Sequence, residues 1–352
     1  MNPPASRVSL AAVCLLASAC GELRPEVRLP VAESSPALPT SQDVGLGGAW
    51  DKSLAGLRAA DQRVADVAYR IVTASVALCA DQTPQAGLVL QDRLEFSPRL
   101  RPAASAAFHL DEQPTVEVVA AQSPAARAGV RPDDVLLAID DQPLTPPLPP
   151  PASGADVRPA SYAQIDAAQA RITAALSGGA AALTLRRGED TLRLVVVGQP
   201  GCAYDAQVLP GPGLTASADG RHVFISAALV SYARSDDMLA LVLGHEFAHD
   251  VLRHRRRLDQ VGYRALGDLG STSASLRLAE KEADYVGLYL TARAGYDISQ
   301  APEFWRRFPA ADGDLSWSHP GAAGRAASLA ATRDEILGKL KAGQPLVPNP
   351  AR

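Results

Sequence analysis

Gly244-His245-Glu246-Phe247-Ala248-His249-Asp250 is the stretch from which the rest of the chain can be read. It is an H-E-x-x-H motif inside an amphipathic helical pattern that runs from about Met238 to Arg256. Two imidazoles four residues apart lie on one face of a helix and can hold one metal ion, with Glu246 beside the open coordination position. The residues just ahead, Leu239-Ala240-Leu241-Val242-Leu243-Gly244, are almost wholly apolar. A polar pair set into a buried helix needs partners, because an unpaired buried polar group costs about 1–3 kcal/mol. Metal binding supplies them, and the spacing is the layout of a zinc peptidase.

A third ligand should come from a different element. Leu278-Ala279-Glu280-Lys281-Glu282-Ala283-Asp284-Tyr285-Val286-Gly287-Leu288 offers one, with Glu280 standing 31 residues after His249. Glu280 and Asp284 are one helical turn apart, so one carboxylate can ligate while the other orients a ligating histidine. Glu282 reads as part of a solvated helix face.

These residues carry a family resemblance. G-H-E-F-A-H, then E-x-E-A-D-Y-x-G-L, then Ala292 to Asp297 (A-R-A-G-Y-D), then Ser318-His319-Pro320 followed by Arg325, resemble the zinc metallopeptidases that include CAAX prenyl proteases, HtpX and BepA. The likeness, to a gluzincin family, runs from about Gly201 to Leu340. It implies one Zn²⁺ held by His245, His249 and Glu280, Glu246 as general base, and Asp284 as the aspartate behind the ligands. His319 matches a histidine that either approaches the zinc as an inhibitory ligand or stabilises the reaction intermediate, and Arg325 matches its associated basic residue. Asp250 departs from the asparagine that often follows the second histidine. Peptide-bond hydrolysis is the implied reaction, with His319 or Arg325 stabilising the developing oxyanion. Arg221 to Ser226 reads as a short strand, whose Val223, Phe224 and Ile225 would form the edge on which an extended substrate backbone pairs.

The N-terminus bears on where this chemistry takes place. A short apolar run, Val8 to Ala17, precedes Ala17-Ser18-Ala19-Cys20, which resembles a bacterial lipoprotein signal with Cys20 as the acylated residue. The expectation is an exported periplasmic protein, lipid-anchored to a membrane. Cys79 and Cys202 then remain as an even pair; two separate buried thiols are the alternative, and export favours a disulfide.

Ser123 to Leu144 resembles the S-P-A-x-x-A-G-[LV]-x-x-G-D-x-[IL] core of bacterial PDZ domains, with Asp133 in the place of the usual glycine. Ala163 to Leu176 is helical in pattern, and residues 181–187 and 191–197 read as a hairpin across Gly188-Glu189-Asp190. Gly87-Leu88 would belong to a carboxylate-binding loop. Such a module adds a peptide strand to a sheet edge or captures a chain terminus, here to recruit or gate substrate.

Composition limits the remaining options. A formal net charge of −4 shows no basic excess for nucleic acid. The expected architecture is α+β: a signal peptide at 1–20, a flexible tether at 21–49, a helix within 50–82 packing on the peptidase domain, a β-rich PDZ-like domain at 83–198 with an extended proline-rich loop, a mainly helical zincin-type domain with a small edge sheet at 199–342, and a disordered tail at 343–352. The expected partners are envelope polypeptides, misfolded or unassembled, and a peptide or chain-terminus ligand. The rival from another class is a PDZ-containing binding or chaperone-like protein whose zinc site is blocked by His319.

Overall fold

The computed structural model describes residues 54–96, 98, 101–110, 112–144, 161–209, 213–260, 271–308 and 322–349. The stretches expected to be a signal and a tether, with Cys20, most of the proline-rich loop and His319, lie outside them. The first helix, α1 (Leu54–Ala74), carries Ala60, Val64, Val67, Ala68, Ile71 and Val72 at helical spacing, and all six are buried. It packs against the sheet and helices that follow Cys202, and a single turn of 3-10 helix leads from it to Cys79.

Next comes a short ribbon. β1 (Gln82–Gln85) pairs antiparallel with β8 (Gln199–Cys202), so the two ends of the intervening 113-residue stretch 86–198 meet. Cys79 and Cys202 are disulfide-bonded there, with Cα atoms 5.5 Å apart. By chain entropy a loop of this length contributes about 4–5 kcal/mol.

Between the ribbon strands lie β2 (Leu88–Gln91), α2 (Arg101–Phe108), β3 (Thr115–Val119), α3 (Pro124–Ala128), β4 (Val135–Ile139), β5 (Gln142–Pro143), α4 (Ala163–Ser177), β6 (Ala181–Arg187) and β7 (Asp190–Val196). The sheet is antiparallel in the order β2-β3-β4-β6-β7, with β5 on β4. Local chemistry fixes α3: the Ser123 hydroxyl accepts from the Ala126 N–H, Pro124 opens the helix, and Gly129 ends it at φ +87°. Asp133 takes the left-handed backbone at φ +69° that a glycine adopts more easily, and its carboxylate pairs with Arg58 of α1 at 2.9 Å. A separate core, including Val116, Leu136, Ile172, Leu183 and Leu185, fills this module.

The remainder is a small sheet and a set of helices: β9 (Asp205–Leu209), β10 (Ala216–Ala218), β11 (His222–Ser226), α5 (Ala227–Tyr232), α6 (Asp236–Val251), α7 (His254–Gln260), α8 (Ser271–Arg293), α9 (Ala301–Arg307) and α10 (Ala322–Lys341). Three expectations need correction. β11 is the centre of the sheet β10-β11-β9, hydrogen-bonded on both sides, so Val223, Phe224 and Ile225 cannot receive a substrate strand; the outer strands are β10 and β9. The motif helix does not run on to Arg256, because Arg253 turns to φ +54° and a second helix starts at His254. The tail from Gly343 is packed as far as Asn349: Leu346 is buried, its carbonyl accepts from Arg293, and the Asn349 amide donates to the Tyr285 hydroxyl. No described helix is long and apolar enough to cross a membrane.

Candidate metal centre

α6 starts on a Ser235 cap with Asp236 and Asp237 in its first turn, a favourable arrangement at the positive end of the helix dipole. Its next two turns are buried almost all round, from Met238 to His245. α8 crosses it at close range because both helices carry glycine at the crossing. A Cβ on Gly244 would meet Thr291 Oγ1 at 2.3 Å and the Gly287 carbonyl at 2.8 Å. Thr291 seals the contact by donating to the Ala240 carbonyl at 3.0 Å. The crossing lays Glu280 and Asp284 alongside His245.

Three donors converge. His245 Nε2 and His249 Nε2 are 3.3 Å apart, and the Glu280 carboxylate lies 3.4 Å from the first and 3.7 Å from the second. Two zinc–nitrogen bonds of ~2.05 Å at a tetrahedral angle put their nitrogens ~3.3 Å apart. All three donor atoms fall within 4.8 Å of one another, so the set fits one ion of that size. Glu246, half-buried, follows His245 on the same helix.

Each imidazole is steered from behind. His245 Nδ1 lies 2.9 Å from Asp284 Oδ1, and Arg325 donates to both oxygens of Asp284 at 2.6–3.1 Å. Arg325 also lies with its guanidinium carbon 3.7 Å from the centre of the Trp305 ring. It is thus turned to the back of His245 and tied there, a different setting from the oxyanion donor expected of it. Burial opposes the His245 imidazolium, but Asp284 and Glu280 outweigh it and lift the group to about 10. Burial and the charge of His245 push His249 down to about 3.

The other imidazole has a longer support. His249 Nδ1 is 3.0 Å from His254 Nδ1, and His254 Nε2 is 3.0 Å from Glu282, which also accepts from Arg257 at 2.7 Å. If His249 offers Nε2 to a metal, its Nδ1 carries the proton and donates to His254, whose Nε2–H then donates to Glu282. A neutral His254 is required, and burial does hold that group below its ordinary value. Glu282 is therefore engaged with the site and not merely solvated. The spacing of His249 and His254 was visible in the sequence, but their contact depends on the break at Arg253, whose guanidinium donates three hydrogen bonds of 2.9–3.1 Å to Asp81.

Asp250, a departure in sequence, has a structural task. Its Oδ1 accepts from the Gly220 N–H at 2.8 Å and its carbonyl from the Tyr204 hydroxyl at 3.2 Å. Burial, aided by Asp219 and Glu246, pushes its carboxyl up to about 7. Trp305 had no signal in the sequence that tied it to the site.

Residues 195–266 match Peptidase family M48, and residues 115–148 match a PDZ domain. The first match includes His245, Glu246 and His249 and ends before Glu280. Mitochondrial metalloendopeptidase OMA1 of Schizosaccharomyces pombe is 33% identical over 116 residues, covering 27% of this chain and 34% of that protein. Its namesake in Saccharomyces cerevisiae is 31% identical over 131 residues, covering 32% and 35%. The Arabidopsis thaliana protein of the same name is 34% identical over 110 residues, covering 26% and 23%. The chain thus spans about a third or less of the length of these curated relatives.

Proposed function

We propose that this chain, a family M48 metallopeptidase carrying a PDZ domain, is a zinc-dependent endopeptidase that cleaves envelope polypeptides. The observation that carries this reading is the convergence of His245, His249 and Glu280 on one point, with Glu246 next to it on the same helix. Zinc, when bound, supplies the Lewis acidity that lets a water ionise near neutral pH and polarises a peptide carbonyl.

The chain's own residues supply the rest. Glu246 takes the proton of the attacking water and passes it to the leaving nitrogen, so that water adds across the C–N bond and a carboxylate and an amine result. Asp284 with Arg325, and His254 with Glu282, hold the two imidazoles in the tautomer that presents Nε2. β10, an outer strand packed on α6, is the edge available to an extended substrate backbone. His319 acts on the same site, as an inhibitory ligand or as a stabiliser of the intermediate. Export to the periplasm and a lipid anchor on Cys20 agree with the Cys79–Cys202 bridge, which suits an oxidising compartment.

The test is cleavage of casein by purified, zinc-loaded protein beside its Glu246→Gln variant, with zinc content measured in both. Cleavage lost while zinc is retained is the expected result. Zinc retained in both with cleavage by neither would overturn the peptidase reading.

A further inference from the structure

α9 brings an indole to the back of the metal centre. The start of this helix is tied to α6, because the Asp297 N–H donates to Asp237 Oδ1 at 2.8 Å, and Pro302 sits in its first turn. Glu303 pairs with Arg306 and Arg307 on the outer side, while Phe304 and Trp305 are buried on the other. Phe304 and Phe308 each lie 5.2 Å from the Trp305 ring, centre to centre. A ring wedged in this way has little rotamer freedom left. Its face carries the Arg325 guanidinium, 3.7 Å from Cζ to the ring centre, and the His245 ring lies 5.3 Å away at a tilt of 50°.

We propose that Trp305 is a positioning residue for the metal centre: its ring face holds the Arg325 guanidinium on Asp284 and, through Asp284, sets the orientation of His245. Arg325 is a long side chain, and few of its rotamers bring two guanidinium nitrogens onto one carboxylate. Asp284 Oδ1 is shared, with Arg325 Nη2 at 2.6 Å and His245 Nδ1 at 2.9 Å. Nη2 and Nδ1 are themselves 3.4 Å apart. When His245 offers Nε2 to a metal, its Nδ1 carries the proton and donates to Asp284. Nη2 and Nδ1 then both present N–H, so neither can accept from the other, and each depends on the same oxygen. A guanidinium free to slide toward His245 would take that oxygen from the imidazole.

An aromatic face prevents the slide without joining the competition. It attracts the cation over its centre and brings no carboxylate or amide that would draw the guanidinium off Asp284. His245, Asp284 and Arg325 are all buried, so water does not weaken that attraction. An aliphatic side chain can fill the same space but has no such face. The role thus belongs to the ring and not to its bulk, and the two can be separated by substitution.

The inference rests on the metal reading above, and its test measures zinc affinity, by competition with a chromophoric chelator, apart from any cleavage. Trp305→Phe keeps an aromatic face and should stay within about threefold of the parent, whereas Trp305→Leu should lose about tenfold or more. In an Arg325→Met background, Trp305→Leu should cost nothing further, because the ring has no guanidinium left to hold. Equal losses in the Phe and Leu variants would assign Trp305 to packing and overturn the proposal, as would full affinity in Trp305→Leu or a further loss in the Arg325→Met background. Should Trp305→Leu fail to fold, tryptophan emission decides: zinc should change it in the parent and leave it unchanged in Trp305→Phe. A parent that shows no change, or a change that survives in Trp305→Phe, would reject the contact between the ring and the site. A parent that binds no zinc would overturn the metal reading and this inference together, which keeps the two failures distinct.

Discussion

Gly287 lies against the backbone of His245: a Cβ placed on it would come within 2.8 Å of both the His245 nitrogen and its Cα. Backbone contact of this kind has no soft side to yield. Gly287→Ala should push α8 away from α6 and carry Glu280 and Asp284 with it. Overpacking of this type costs about 1–3 kcal/mol, so a lower melting temperature and weaker zinc binding should appear together. Full zinc affinity in a folded Gly287→Ala protein would show that the glycine contact does not set the ligand geometry.

Asp284 and Arg325 form a buried pair in which removal of one member leaves the other charge without compensation. Burial opposes the Asp284 carboxylate, but His245 and Arg325 outweigh it and keep the group below its ordinary value. Asp284→Ala should therefore destabilise by about 3–5 kcal/mol, measured by urea unfolding. The double variant Asp284→Ala with Arg325→Met should recover part of that loss. No recovery would mean that the cost comes from His245 alone.

The candidate metal cluster was legible because its chemistry is local in sequence: two histidines at helical spacing, then a helix with two carboxylates one turn apart. The PDZ module was legible from Ser123, Pro124 and Gly129, which fix a helix by capping alone. The failures share a different cause. The place of β11 within its sheet is decided by β9 and β10, and no feature of Val223-Phe224-Ile225 records how many neighbours a strand will have. Arg253, where the helix breaks, pairs with Asp81, 172 residues away, and Trp305 reaches the site through the packing of α9. Long-range partners settled each of these, and a pattern within one segment could not show them.

His254 and Glu282 should matter to metal binding more than their distance from the ion suggests. They complete the chain of hydrogen bonds that fixes the tautomer of His249. His254→Ala should lower zinc affinity by about 10–100-fold in competition with a chelator, with the helical circular dichroism preserved. Glu282→Gln keeps an acceptor for His254 and should lose less. Equal losses in the two variants would point to packing and away from tautomer control.

A cluster of carboxylates joins α1 to the PDZ module and makes stability depend on pH. Burial, and then the neighbouring Glu117 through charge and a hydrogen bond, push Asp61 up to about 9. Burial also raises Glu117, which is held on β3, while Arg58 draws both carboxyls down. Glu95 is raised by burial and by Glu117, Asp92 and Asp61, all of which face the same region. An unfolded aspartate loses its proton near pH 4, whereas Asp61 keeps it in the folded protein until about pH 9. Between these values the folded state binds more protons than the unfolded one, so stability falls as pH rises, by about 1.4 kcal/mol per unit for each extra proton bound. Its contribution is complete below about pH 4 and is lost by about pH 9. Asp61→Asn removes that proton, so urea unfolding from pH 5 to 8 should show a shallower decline for the variant than for the parent. Parallel declines would place the pH dependence elsewhere in the molecule.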